Sequence, residues 1–386
     1  MKTIVFFISS LTYVKNWIDP LRPFFGKNDI NIVILHMHSL RFEDKPVPGL
    51  SNELIFYDIG KLHIKKVIAL FVKLRPEVVI FFHFKSFADY IVLRFTKLLN
   101  IKSLYLQHGI YYSKVFKFVN ISNLSSLKRY FFHLIQYIQF IFIKPKNIVN
   151  EFFLAIKYFL NNDLKGTKYD FTILFSKYSL DYIQDRFCFN QEKIKYSGFP
   201  VVQFQNQLTK ITNLSKKEKM ILFLQEKYIP AHTSITYNQE HEYFQTIINK
   251  CVNYNYLITL RLHPRVDHLF YKNLLAKDKV IIENDSNLYD QISAADIVIG
   301  NMSTALFGAV INKKPIITIF YPGFKKLTDI FDEITIKAPD YDSLENIFQS
   351  PDEWNKKLSL YDDFIDKYIG RNNSFENQAN TILDLI

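Results

Sequence analysis

The sequence predicts an α/β protein built from two parallel-sheet domains, and three observations carry that reading. Short continuous apolar segments recur along the chain, as strands buried on both faces require. Segments with apolar residues at helical spacing lie between them. A polar stretch, "NQLTKITNLSKKEK" (206–219), separates two such alternating series. The 386 residues exceed one ordinary core and suit two.

In the first series, "TIVFFI" (3–8), "NIVILHM" (31–37), "LIFYDI" (54–59), "EVVIFFHF" (77–84) and "KSLYLQHG" (102–109) read as strands. "KLHIKKVIALFVKLR" (61–75) and "SFADYIVLRFTKLLN" (86–100) read as helices between them. After a break, the strand "DFTILFS" (170–176), the helix "KYSLDYIQDRF" (177–187) and the strand and turn "KIKYSGFP" (193–200) close this domain, residues 1–205. The second domain, 220–340, opens with "MILFLQEKY" (220–228) and a helix near 238–253. Its further strands are "YLITLRL" (256–262), "KVIIEN" (279–284), "ADIVIG" (295–300) and "KPIITIFY" (314–321). Residues 341–386 are expected to be helices packing across the two domains. The opening "MKTIVFFISSLTYVKNW" holds only about six apolar residues in a row and no small-residue cleavage site, so it reads as a first strand rather than a leader. No run of about 20 apolar residues predicts a membrane-spanning helix.

The chain carries a net charge of +11, unevenly spread. From Asp340 onward ten acidic residues face four basic ones, a balance of −6, so the remainder carries +17. A basic body fits an anionic partner such as a nucleotide or a phospholipid surface. Zinc-finger, RNP and basic-zipper patterns are absent, so nucleic acid is not the expected partner. Two separated thiols, Cys188 and Cys251, make no disulfide framework and fit a reducing cytosol.

Residues 112–168 interrupt the alternation with nine Lys or Arg against Glu151 and Asp163. Within them "YFFHLIQYIQFIFI" (130–143) is bracketed by Lys128, Arg129, Lys144 and Lys146. An aromatic helix with basic flanks suits the interface of a membrane. The same pattern also suits a helix hairpin buried on the first domain.

Parallel sheets bind ligands beyond the carboxyl ends of their strands. Four polar clusters fall there: Gln107-His108-Gly109, "FSKYS" with Ser176, "RLHPR" (261–265), and "GNMSTALFG" (300–308). In the last, Asn301, Ser303 and Thr304 precede a helix, whose free N–H groups and dipole attract phosphate. Ser or Thr there is also an ordinary helix cap. Arg261, His263 and Arg265 are placed to clasp an anion, and Pro264 stiffens the turn. His108 is a candidate general base, because imidazole titrates near working pH. Glu226 is a second candidate, as base or nucleophile. Asp89 is a third and is expected on a helix surface.

Together "KYSLDYIQDRF…KIKYSGFP", "LRLHP" and "DIVIGNMSTALFGAVINKKPIITIFY" resemble bacterial surface-polysaccharide glycosyltransferases of the GT-B fold. The similar groups are the CDP-glycerol glycerophosphotransferase-like enzymes and the CMP-Kdo and CMP-sialic-acid-type transferases. The resemblance covers roughly residues 100–110 and 170–325. It implies two Rossmann-like domains facing across a cleft, with 112–168 as a helical insertion in the first. It also implies metal-independent transfer with no cofactor, the nucleotide-activated donor being a substrate. The donor nucleotide would be held by Ser176, Arg261, His263, Pro264, Arg265, Asn301, Ser303 and Thr304, and the acceptor by Gln107 and Gly109. The chain departs from the polyol-phosphate pattern at two places. Gly300-Asn301 stands where an Asp is usual, and "GFPVVQ" (198–203) lacks the family's Arg and Asp. The expected donor is therefore a CMP-linked acidic sugar, a nonulosonic acid or Kdo. The expected acceptor is a lipid-linked glycan of capsule or lipopolysaccharide synthesis, on the inner face of the cytoplasmic membrane. The alternatives are a CDP-glycerol-type polyol-phosphate transferase, a UDP-sugar enzyme including a 2-epimerase, and a non-enzymatic scaffold.

Overall fold

The computed structural model describes residues 1–37, 53–109, 168–200, 219–225, 236–263 and 279–386 apart from short stretches inside these spans, with Tyr271 and positions 131, 135, 138 and 139 besides. The described residues form two compact units. One runs to Gly198 and includes the last helix; the other runs from Phe199 to Arg371.

Unit one is built on seven strands: β1 Lys2–Ile8, β2 Ile30–His36, β3 Ile55–Asp58, β4 Val78–Phe81, β5 Lys102–Leu106, β6 Phe171–Leu174 and β7 Ile194–Tyr196. All pair in parallel, in the order β3-β2-β1-β4-β5-β6-β7. The strands are apolar on both faces because both are covered; Ile4 to Ile8 and Val78 to Phe81 are buried throughout. Helix α1 (Ile64–Leu74) buries Ile64, Val67 and Phe71, a stripe at helical spacing. Helix α2 (Phe87–Leu98) is buried over most of its length, Asp89 to Leu93 without a break. Asp89 is only 3% exposed, so the expectation of a surface position is corrected: from Asp89 to Leu93, more than a full turn, this helix has no solvent face. Helix α3 (Lys177–Ile183) follows β6.

Unit two repeats the winding with six strands: β8 Lys219–Leu224, β9 Tyr256–Arg261, β10 Val280–Ile282, β11 Ile297–Ile299, β12 Ile316–Ile319 and β13 Ile336–Ala338. The order is β10-β9-β8-β11-β12-β13, again parallel. Helix α4 (Tyr237–Asn253) starts with a capping box: Thr236 accepts from the Gln239 N–H while the Gln239 side chain accepts from Thr236. Helices α5 (Leu288–Ala294) and α6 (Ala305–Ile311) flank β11, and α7 (Ser343–Gln349) and α8 (Pro351–Leu358) follow β13. Gly308 of α6 lies against Tyr289 and Ile292 of α5, where an added Cβ would come within 3.0 Å of the Tyr289 ring.

The chain leaves unit one at Gly198 and returns to it after Arg371; its last helix, α9 (Ser374–Leu383), belongs to unit one. Gly198 and Gly370 adopt φ of 77° and 78°, which glycine takes without steric cost. The Phe199 N–H donates to Ile369 O at 2.6 Å, so the outgoing and returning segments run side by side.

Candidate functional site

In both sheets the strand order reverses beside the first strand of the series, between β1 and β4 and between β8 and β11. Carboxyl ends at such reversals are where open α/β sheets take ligands. Three of the four sequence clusters follow strands at or next to these points, and the fourth, with Ser176, follows β6, two strands from β4.

In unit two, Gln225 follows β8 and His263 lies two residues beyond β9. The Gln225 N–H donates to Arg261 O at 2.9 Å, carrying the β8–β9 ladder past the strand ends. The His263 N–H donates to Gln225 Oε1 at 2.9 Å. The Leu262 N–H donates to Asn284 Oδ1 from the other side, also at 2.9 Å. The start of the "LHP" turn is thus held by two carboxamide side chains. Arg261 is committed to this scaffold: Nη1 donates to Ser286 O at 2.9 Å and to Gln291 Oε1 at 2.8 Å. His263 itself is half-buried. Pro264, Arg265 and Glu226 lie outside the described residues.

On the other side of the reversal, Gly300 follows β11. A Cβ there would sit 3.3 Å from Leu306 Cδ2 and 3.4 Å from Leu224 Cβ, so glycine lets the turn pass close to the end of β8. Asn301 Oδ1 accepts the Ile319 N–H at 2.9 Å, a third carboxamide clamp, now on β12. Ser303 Oγ accepts the Ala305 N–H at 3.2 Å. Thr304 is the N-cap of α6, and its side chain makes no capping bond. Ser303 and Thr304 are half-buried, with their hydroxyls at the start of α6.

In unit one, Gln107 follows β5 and is 2% exposed. Its Oε1 accepts the Phe175 N–H at 2.8 Å, and its Nε2 donates to Gly109 O at 2.9 Å, closing the Gln-His-Gly turn. This makes Gln107 a framework residue of the turn. A Cβ on Gly109 would meet nothing within 4 Å among the described residues. The His108 ring stands edge-on among aromatic rings: Tyr13 at 5.2 Å, Phe82 at 6.2 Å and Trp17 at 6.4 Å between centroids. Tyr13 and Trp17 follow β1 and Phe82 follows β4, so His108 sits beside the strand reversal of its sheet. Ser176, after β6, is buried, and its hydroxyl has no hydrogen-bond partner among the described residues.

Sequence reasoning singled out the His, Arg, Ser and Thr of these turns. It passed over Gln225, Asn284 and Gln291, which build the framework. A glutamine carries no motif, and only its neighbours in space give it a role. Of the stretch 130–143, Phe131, Ile135 and Ile138 are helical and exposed, at 63, 36 and 44%, and Gln139 Oε1 accepts the Ile64 N–H of α1 at 3.3 Å. Among the described residues no helix is long and apolar enough to cross a membrane.

Several solved structures share this architecture. The wall teichoic acid polymerase TagF is 15% identical, with a TM-score of 0.60 over 99% of this chain and 88% of that one. A UDP-bound MnaA from S. aureus is 11% identical, with a TM-score of 0.57 over 100% and 98% of the two chains. A UDP-N-acetylglucosamine 2-epimerase from Neisseria meningitidis is 13% identical, with a TM-score of 0.57 over 100% and 99%. At these identities the likeness shows the fold: two parallel sheets with helices, the GT-B architecture expected from the sequence. No curated protein sequence matches the chain. Residues 155–326, which hold Ser176, His263, Asn301, Ser303 and Thr304, match the family described as CDP-glycerol:poly(glycerophosphate) glycerophosphotransferase.

Proposed function

We propose that the protein transfers a polyol phosphate from a CDP-activated donor to the hydroxyl of a growing surface polymer or its lipid-linked primer. The observation that carries this reading is the glycerophosphotransferase match, which spans the donor-side turns of unit two. It favours the polyol-phosphate alternative over the CMP-linked acidic sugar. Both donors release CMP, so both need the same seat for a cytidine nucleotide.

The donor is assigned to unit two. The backbone and hydroxyls at Ser303-Thr304 and the imidazole of His263 would hold its phosphates, with Arg265 in support. The start of α6 contributes partial positive charge through the helix dipole. The acceptor is assigned to unit one, with Gln107 and Gly109 shaping its turn. In the reaction the acceptor oxygen attacks the donor's distal phosphorus. The bond from that phosphorus to the bridging oxygen breaks, and CMP leaves with the electron pair. His108 takes the acceptor's proton as general base. Stabilising the charge that gathers on the leaving phosphate is the largest task for such a site.

The exposed Phe131, Ile135 and Ile138 recur at a spacing that shares one helix face, and the flanking sequence supplies Lys128, Arg129, Lys144 and Lys146. These features support docking on an anionic lipid surface, where a membrane-bound acceptor would be met. Sedimentation with anionic against neutral vesicles tests it: binding only to anionic vesicles, weakened by Phe131→Ser, is the expected result.

The reaction is tested by incubating the protein with CDP-glycerol carrying label in the glycerol and a lipid extract from the native cells. Labelled polymer and an equal amount of CMP are expected. Turnover of a CMP-linked acidic sugar with none from CDP-glycerol would return the assignment to a glycosyl transfer, in which the acceptor attacks the anomeric carbon.

A further inference from the structure

We infer that Glu240 is a positioning residue for the donor turn, acting through Gln225 on the backbone of His263. The inference rests on the reading above in which His263 holds the donor. Glu240 lies in the first turn of α4, where the capping box fixes the helix start and the dipole favours an acidic side chain. It is completely buried, beside the core residues Phe244, Ile247 and Ile248 of the same helix. A buried carboxyl costs stability unless each oxygen finds a donor, and both do. Gln225 Nε2 donates to Oε1 and the Tyr271 hydroxyl donates to Oε2, each at 3.0 Å. Gln225 is 4% exposed and Tyr271 1%, so water does not substitute for these bonds.

The geometry fixes the orientation of Gln225. Glu240 Oε1 accepts, so it draws the amide nitrogen of Gln225 toward itself. The amide oxygen is then turned toward β9, where it accepts the His263 N–H at 2.9 Å. Were the amide reversed, two acceptors would face each other at Glu240 and two donors at His263. Burial pushes the Glu240 carboxyl above its usual range, and the bonds from Gln225 and Tyr271 act against that push. An apolar side chain would fill this place at a lower desolvation cost. What an apolar residue cannot do is dictate the sense of the Gln225 amide.

The test reads two quantities in the full-length protein: amide hydrogen exchange at His263, and the dissociation constant for CDP. Glu240→Leu should speed exchange at His263 and weaken CDP binding, each by roughly tenfold, the size expected from one lost hydrogen bond. Ile258 and Leu260 in β9 should stay protected. Glu240→Gln keeps an acceptor for Gln225 and should restore both quantities to within about threefold of wild type. Should Glu240→Leu fail to fold, Gln225→Leu removes the same acceptor from His263 and should show the same pair of effects. A folded variant with unchanged exchange at His263 and unchanged CDP affinity overturns the inference. So does a loss of protection spread evenly over β9, which marks a role in stability alone. If the wild-type protein binds no CDP, the donor reading fails, and the exchange measurement alone decides the positioning role.

Discussion

The two units use the same devices at both edges of their sheets and differ in what lies behind them. At the amino edge an aspartate precedes a strand and exchanges bonds with its neighbour. Asp170 Oδ2 accepts the Ser103 N–H at 2.9 Å in unit one, and Asp296 Oδ2 accepts the Met220 N–H at 2.7 Å in unit two. At the carboxyl edge a glutamine follows one strand and accepts the N–H beyond the next, Gln107 from Phe175 and Gln225 from His263. Behind Gln107 the amide turns back to its own loop, at Gly109 O, and the turn is walled by Tyr13, Trp17 and Phe82 around His108. Behind Gln225 stands a buried carboxyl. Unit one therefore presents a histidine among aromatic rings, the group proposed to take the acceptor's proton. Unit two anchors a polar turn through a buried carboxyl and a carboxamide, and it is the unit proposed to hold the donor.

Breaking the two glutamine clamps compares the units directly. Gln225→Leu should cost the more, about 2–4 kcal/mol, because it strands the His263 N–H and removes a donor from a buried carboxyl. Gln107→Leu should cost about 1–3 kcal/mol, because it strands the Phe175 N–H while Gly109 is only half-buried. Denaturant unfolding of both variants measures the difference, and equal costs would remove the distinction. Gly308→Ala sharpens the account of unit two. Its methyl would press on Tyr289 and Ile292, costing about 1–3 kcal/mol, and the displaced start of α6 should weaken nucleotide binding. A stable variant with normal affinity would mean that α6 does not set the donor seat.

The smallest effect is at the amino edge of unit one. Burial raises the Asp170 carboxyl, but the Lys97 ammonium and two bonds from Ser103 outweigh it, and the net shift is downward from 3.8. A lowered folded value means that Asp170 stabilises the fold above its unfolded value, and that this contribution disappears as the pH falls through the folded value. The group is partly exposed, so about 1 kcal/mol is the expected size. Asp170→Asn should lower the melting temperature slightly at neutral pH and leave it unchanged near pH 2.

How much of this the sequence carried depends on the kind of signal. Strands such as "TIVFFI" and "EVVIFFHF" were legible because burial on both faces leaves a continuous apolar run. Helix α4 was legible from its apolar spacing. The short strand β13 (Ile336–Ala338) was missed, since three residues carry no period. Asp89 was misplaced because α2 is buried on every side from Asp89 to Leu93, which amphipathic spacing does not foretell. Histidines and hydroxyl residues were singled out because they stand beside turn-forming Gly and Pro, and the structure places His108, His263, Ser303 and Thr304 beyond strand ends. Gln225, Glu240 and Tyr271 were not, because their partners are 15 to 38 residues away and meet only in the folded chain.

One measurement tests the central division of labour most directly: thermal unfolding of the wild type, His263→Ala and His108→Ala with and without CDP. A ligand at 100 times its dissociation constant adds about 2.7 kcal/mol of stability. The account predicts stabilisation of the wild type and of His108→Ala, and none of His263→Ala. Stabilisation that survives in His263→Ala and vanishes in His108→Ala would contradict it and move the donor to unit one.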